Sequence, residues 1–532
     1  MGHIASTYLP ADIFARYSRL SGKEVVFVCG TDDYGTPILI KAEQEGKSPE
    51  DFVELWWKRD KEDFEKLGVS FDIFHKTHSP ENIELTQHYF KVLNEKGYIF
   101  TQEVENFYCD KDKKFLPDRY LKGTCPFCKI PDQYGDGCEK CGKTYSHKEV
   151  LDPKCVICGN IPKLKKTSHY FFKLSKFSNQ LEKWLKNNKN LKKEVTNYIL
   201  QWIKEGLKDW DITRDITWGI PIPLKDAHGK VLYGWFDNHL GYVSFALKYL
   251  KDKRIDGKKF WNSSTIYHFI GKDIVYHHYL FMTAMRMGEG SYKIPDFIPV
   301  RGHLLLQRQK FSKSRGWYIS LQDFLNKFPP DYLRYYLASL TTYSQGDINF
   351  DWKEFQATIN NELIANIGNF IHRTLAIIFS KNNGKVPKAR KTDKYDEELK
   401  NKILSISKDV GSEIEKNELD RALKKIVGFS TFCNQYFQRK EPWKGNYENC
   451  LYYSINAVRS LAILLEPFTP FSSEKLWKIL NLKESVHKQS WHSASELKIE
   501  EGHKISEPDI LFPKIEDEKI ENEIQNKQIA RS

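Results

Sequence analysis

Three groups of residues in this chain carry side chains that could do chemistry. The first is Lys310-Phe311-Ser312-Lys313-Ser314-Arg315-Gly316, a short basic stretch with two small hydroxyl residues and a glycine, just after the apolar run Leu304-Leu305-Leu306. Ammonium groups act as point charges on phosphate oxygens, and Ser and Gly let the backbone approach, so such a loop suits a substrate whose leaving group is a polyphosphate. Taken alone, the same residues would also make a solvated basic turn. The second group is Gly30-Thr31-Asp32-Asp33-Tyr34-Gly35-Thr36-Pro37, a polar loop at the carboxyl end of the apolar run Glu24–Cys29. Ligands of open α/β sheets bind at that edge, where Asp32 could hold an ammonium group or serve as a cap or turn residue. The third group is the cysteines. Cys125, Cys128, Cys138 and Cys141 form two Cys-x-x-Cys pairs, the spacing of a tetrahedral structural zinc site with two tight knuckles. Cys155 and Cys158 make a further pair, and Cys109 with Asp112 has the same spacing upstream. A second site could therefore enclose the first, although Asp is a poorer match to a sulfur-rich structural site.

The elements that must position these groups follow from periodicity. Leu9 to Leu20 has helical apolar spacing, Glu24–Cys29 reads as a buried parallel strand, and Ile266–Ile270 reads as another, running into Gly271-Lys272-Asp273. From Trp352 onward long amphipathic helical patterns replace the α/β alternation. Within them Asn369 and Arg373 share a helical face, and Glu441-Pro442-Trp443-Lys444 ends another helix with an aromatic beside basic residues. Such groups could read unpaired bases, Trp443 by stacking and Asn369 and Arg373 at base edges, with Gln438, Arg439 and Lys440 adding backbone contacts; a capping tryptophan and a solvated arginine would look the same. The expected architecture is α/β, a parallel nucleotide-binding sheet with a zinc-binding insertion, followed by an all-α bundle. Its segments are residues 1–100 and 233–308 for the two halves of the sheet, 101–232 for the insertion, 309–365 for the loop and junction, and 366–532 for the helices.

The 532 residues suffice for several domains, and 29% charged against 40% apolar residues is an ordinary globular balance that excludes a disordered chain. The net charge of +12 is spread along the sequence and implies tolerance of polyanions rather than a basic tail. No apolar run approaches the ~18 residues of a membrane span, so none is expected.

Several of these motifs carry a family resemblance. Lys310–Gly316 resembles the Lys-Met-Ser-Lys-Ser signature of class I aminoacyl-tRNA synthetases, with Phe311 in place of Met. Val28–Ile38 resembles the corresponding loop of methionyl-tRNA synthetases. Tyr233-Gly234-Trp235-Phe236-Asp237-Asn238-His239-Leu240-Gly241-Tyr242 resembles that family's pocket segment, where Tyr-Val-Trp-x-Asp-Ala-Pro-x-Gly-Tyr is usual. Gly234, Asn238 and His239 depart from it. Met1-Gly2-His3 lines up with the end of the family's His-x-Gly-His motif. The strand, the pocket segment and the first histidine expected ahead of it are not in this sequence, which is expected to be headed by an internal methionine of a longer protein.

The resemblance, to the archaeal-like zinc-containing type, implies a methionine–tRNA ligase working through methionyl-adenylate; the alternative is a catalytically impaired tRNA-binding paralogue. It implies catalytic roles for His3, Lys310 and Lys313, and an ATP site of Gly2, His3, Gly271, Asp273, Lys310 and Lys313. Asp32, Trp235, Tyr242, Ile274 and His278 would bind methionine, and Asn369, Arg373 and Trp443 would read the anticodon. Structural Zn2+, one or two ions, and Mg2+ accompanying ATP are the implied cofactors. The implied partners are tRNA(Met), ATP and L-methionine, for a cytoplasmic monomer that uses no membrane.

Overall fold

Parallel strands among the described residues occur as three separate pairs, one of them Leu304–Leu306 beside Ile348–Phe350. Val28–Thr31 lies beside Ile73–Lys76 with Cys29 opposite Phe74, and Ile270–Gly271 lies beside Val300–Arg301, extended by a parallel bridge from Tyr267 to Phe297. The computed structural model describes all residues except 136, 139, 142, 144, 228, 234, 312–316, 446 and 530–532. Lys313 and the pocket-segment Gly234 thus lie outside the described residues. Among the described residues no strand joins the Val28–Thr31 ribbon to the Ile270–Gly271 ribbon, the two halves of the parallel body. The helical turn Ile4–Tyr8 packs against the second of them. The first strand also starts later than Glu24, for a local reason. Phe27 donates its N–H to the Asp72 carboxylate (2.7 Å) and accepts from the Asp72 N–H (2.8 Å), so the ladder begins only at Val28.

The helix Asn238–Asp252 crosses the first ribbon at Gly30. A Cβ there would lie 2.4 Å from the Phe245 ring and 2.6 Å from the His75 carbonyl, so only glycine permits this approach. That contact sets the helix start, with Asp237 and Asn238, beside the Asp32 loop.

An antiparallel ribbon, Ile99–Cys109 against Lys163–Phe172, carries the insertion. Beyond its tip a smaller sheet orders Gln133–Tyr134, Leu121–Thr124 and Leu151–Cys155. Cys109 and Cys155 each end a strand, which brings two cysteines from distant positions to one point.

The hairpin Leu304–Leu306 to Gln309–Lys310 turns through Gln307 and Arg308, both at positive φ (46° and 64°), as a two-residue hairpin turn of matching twist requires. It delivers Lys310 exposed at the base of the basic loop. One helical stretch then runs from Trp352 to Lys381 without a break at position 365 or 366. This stretch contains an 18-residue window of mean hydropathy 1.3, enough for a membrane span, unlike the expectation from apolar runs. Its fully buried Trp352, Phe355, Ile359, Leu363, Ile367 and Phe370 instead recur every three or four residues, the stripe of a helix packed into a protein core. Four further helices, Lys394–Glu415, Leu419–Lys440, Glu448–Leu465 and Pro470–Ile479, complete the packing around it.

The apolar cores do not follow the linear order of the chain. Ile4 to Leu20 shares one core with the segment from Leu304 to Ile520, whereas Tyr34 to Val300 forms another. The two parts of the first core are pinned by a buried ion network. Arg334 donates to Asp12 (2.6 Å) and to the carbonyls of Pro467, Phe468 and Gly68, while Arg16 bridges Asp12 (3.0 Å) and Glu466 (2.6 Å).

Candidate active site

Asp32 and Asp33 are adjacent in sequence but differ in what they are free to do. Asp33 is spent on the loop itself: its carboxylate accepts the His78 N–H (2.8 Å), its N–H donates to Thr77 Oγ1 (2.9 Å), and its carbonyl accepts the Trp218 indole N–H (2.7 Å). Burial nevertheless raises its carboxyl to about 6. Asp32 stays open to solvent, and its side-chain partner is the Asn238 amide, which donates at 3.2 Å. Surrounding protein raises the Asp32 carboxyl above the usual range, and the donors Asn238 and Tyr34 N–H oppose that shift. Asp237, buried beside it, is raised much further by burial and by the Asp32 charge. Like charges raise one another, and of the two Asp32 is the one that reaches solvent.

Next to this carboxylate the wall is aromatic and uncharged. Trp235, held at a positive φ of 73°, stacks on His277 at 3.9 Å with an interplanar angle of 14°. Backbone held in this region by a non-glycine residue is strained, a feature that clusters at binding sites. His278 is fully buried, and its ring is fixed by two bonds. Nδ1 faces the Ile274 carbonyl (3.1 Å), an acceptor, so Nδ1 carries the proton and Nε2 accepts from the Tyr242 hydroxyl (3.2 Å). Burial takes His278 down to about 3 and His277 down to about 4, and drives His239 and His268 well below the ordinary histidine range. All four rings are therefore neutral at physiological pH. The two adjacent histidines point to different partners, as their neighbouring helical positions require. The structure brings Tyr242, Trp235, Ile274 and His278 together near Asp32 and adds His239, a departure from the family's segment, whose ring lies 4.8 Å from that of His278.

Gly271 and Asp273 sit where the second ribbon ends, with Gly271 buried and Asp273 exposed. Lys272 beside them pairs with Asp347 (2.6 Å), tying this turn to the segment that precedes Ile348–Phe350. His3 is exposed in the first helical turn of the chain, and Gly2 immediately before it is half-buried.

Two clusters in the insertion have the donors of a metal centre. The ligating atoms of Cys125, Cys128, Cys138 and Cys141 all lie within 4.8 Å of one another, with sulfur pairs at 3.8 and 3.5 Å. A tetrahedron with metal–sulfur bonds of about 2.3 Å has edges of about 3.8 Å, so the residues fit. Cys109, Asp112, Cys155 and Cys158 are gathered equally closely. Here the Asp112 N–H approaches Cys109 sulfur (3.4 Å) as the Cys128 N–H approaches Cys125 (3.5 Å), so Asp112 occupies a knuckle position.

On the helical half, Arg373 lies over the Phe437 ring (5.0 Å) and the Trp443 ring (5.2 Å), and Trp443 remains 38% exposed. Lys381 donates to the Trp443 carbonyl (3.0 Å), fixing the loop that presents the indole. Asn369 is exposed one turn before Arg373. Lys440, a candidate backbone contact from sequence, is already engaged by Asp393 and Asp396, each at 2.9 Å. It holds helices together instead.

A parallel α/β body with a cysteine-bearing insertion, a carboxylate beside a neutral aromatic pocket and a helical bundle with an exposed aromatic–arginine stack define a class I aminoacyl-tRNA synthetase. Residues 1–375 match the family model described as tRNA synthetases class I (M), and residues 396–530 match the anticodon-binding domain of tRNA ligase. The methionine–tRNA ligase of Methanopyrus kandleri is 43% identical, the match covering 98% of this chain and 78% of that one. The methionine–tRNA ligase of Pyrococcus furiosus is 40% identical, over 98% and 74%. A crystal structure of Mycobacterium tuberculosis methionyl-tRNA synthetase bound by methionyl-adenylate has the same fold, with a TM-score of 0.79 at 22% identity over 96% of both chains. The chain belongs to the methionine–tRNA ligase family.

Proposed function

We propose that the chain activates L-methionine with ATP and transfers it to the 3′ end of tRNA(Met). The observation that carries this reading is the pairing of one free carboxylate, Asp32, with a wall of uncharged aromatic rings, Trp235, His277, His278 and Tyr242. Aromatic rings accept a flexible, polarizable thioether with favourable sulfur–ring contacts. A carboxylate at the pocket edge holds the α-ammonium, which leaves the substrate carboxylate free to attack. That carboxylate attacks the ATP α-phosphate and pyrophosphate leaves; a terminal hydroxyl of the tRNA then attacks the mixed anhydride carbonyl and AMP leaves. No protein nucleophile is required, so the residues act by positioning and by neutralising charge. Lys310 and Lys313 meet the departing pyrophosphate, His3 with Gly2 supports the phosphates, and Gly271 and Asp273 line the adenosine. Magnesium bound to ATP supplies charge neutralisation on the phosphates.

Methionine-dependent ATP–pyrophosphate exchange tests the first half-reaction and charging of tRNA(Met) the second. Exchange with methionine that is absent with leucine or valine supports the reading; tRNA binding without exchange under any amino acid overturns it.

The two cysteine clusters hold structural zinc in this reading. Elemental analysis is expected to return two zinc ions per chain, one after Cys138→Ser and one after Cys155→Ser. A single ion lost only with Cys138→Ser would remove the outer centre. For the anticodon face, Trp443→Ala is expected to lower kcat/KM for tRNA(Met) about 5- to 100-fold, the range of base–aromatic stacking. Pyrophosphate exchange in the same variant should be unchanged.

A further inference from the structure

We propose that Asn238 is a positioning residue for the amino-acid substrate: its amide holds the Asp32 carboxylate toward the cleft, ready to take the methionine ammonium. The inference rests on the reading of this cleft as a methionine site and deepens it. Asn238 is the first residue of the helix Asn238–Asp252, and the sequence puts it where the family pattern has alanine. Its Nδ2 donates to Asp32 Oδ2 at 3.2 Å across 206 positions of sequence. A carboxylate oxygen can only accept, so this bond fixes which end of the amide faces Asp32.

The fold itself has little use for an amide at this position. Asn238 Oδ1 is buried with no hydrogen-bond partner, the helix start is not capped by a side chain, and the Asp32 bond is the one hydrogen bond of this side chain among the described residues. A buried polar group left half-satisfied costs stability, and such a cost is characteristic of a residue kept for a site. The helix beginning here also places its positive end near the carboxylate.

The titratable groups facing Asp32 are Asp33 on its own loop, Asp237 at the helix start and Tyr242 one turn along that helix. Two of the three are carboxyls, so with only the Tyr34 N–H left as donor Asp32 would hold its proton to higher pH. A protonated Asp32 cannot pair with an ammonium. Removing the Asn238 donor therefore weakens methionine most on the acid side, and the loss fades once the pH exceeds the raised value.

The test is equilibrium titration of L-methionine and of its 2-hydroxy analogue, in which hydroxyl replaces ammonium, from pH 5 to 8. Against wild type, Asn238→Ala is expected to bind methionine about tenfold more weakly near pH 6, the worth of a hydrogen bond to a charged group. The midpoint of its pH dependence should move up by about one unit, and the hydroxy analogue should bind as before. Asn238→Leu, similar in size but with neither donor nor charge, should show the same acid-side loss and serves if the alanine variant does not fold. Equal weakening of both ligands would make Asn238 merely structural and overturn the proposal. So would unchanged methionine binding and pH dependence in either folded variant. Failure of wild type to bind methionine at all would instead overturn the underlying assignment of the cleft.

Discussion

Replacing Asp32 with alanine is expected to lower kcat/KM for methionine in pyrophosphate exchange by roughly 150-fold, about 3 kcal/mol, within the range for truncating one partner of a desolvated charge pair. The variant removes the one carboxylate that the loop does not consume for its own bonds. ATP affinity should be unchanged, and the 2-hydroxy analogue, which has no ammonium, should lose far less. A matching loss with the analogue would show that Asp32 maintains the pocket rather than the ammonium. Asp33→Ala makes the contrast, because the Asp33 carboxylate accepts the His78 N–H at 2.8 Å and the Thr77 hydroxyl at 3.5 Å. Its loss should fall on both ligands alike.

The second large effect concerns the joint between the two ends of the chain. Arg334→Met is expected to destabilise the folded state by about 3–5 kcal/mol, because it leaves the fully buried Asp12 short of a partner. Denaturant unfolding followed by tryptophan fluorescence reads this directly. The pH arm has a definite sign. Burial alone would raise the Asp12 carboxyl, but Arg16 and Arg334 outweigh it and bring it from 3.8 down to about 2. A depressed carboxyl contributes stability above its unfolded value of 3.8 and loses it as pH falls through about 2, a contribution of roughly 2.5 kcal/mol. In Arg334→Met the acid limb of the stability curve should begin at higher pH; an unmoved limb would show that Arg16 alone sustains the network.

What the sequence made legible divides by range. Cysteine knuckles are local, so spacing alone specified Cys125 to Cys141, and the structure gathers those sulfurs without help from distant residues. Asp32 was singled out although an equivalent Asp33 follows it, and the distinction rests on Thr77, His78 and Trp218, whose nearness no local pattern reveals. The same holds for Lys440, which looked available until Asp393 and Asp396 closed around it from 47 and 44 positions away. The strand boundaries failed for a different reason. Glu24–Cys29 is apolar enough for a strand throughout, but the Asp72 carboxylate takes the Phe27 N–H that a ladder would need. His239 stood out only as a departure from the family's segment, since its place among the neutral rings depends on a burial that no local pattern reveals.

The pairing of Asp12 with Arg334 spans 322 positions, and it has a consequence for how the protein is made. A ribosome adding 5–20 residues per second needs roughly 16–64 s to go from one partner to the other. Throughout that interval the Leu9–Leu20 helix, with Leu9, Ile13, Tyr17 and Leu20 destined for burial, has emerged without the surface that covers it. The segment from Tyr34 to Val300 has a core of its own and can condense meanwhile. The Leu9–Leu20 helix thus gains its full cover only once the segment around Arg334 has been made.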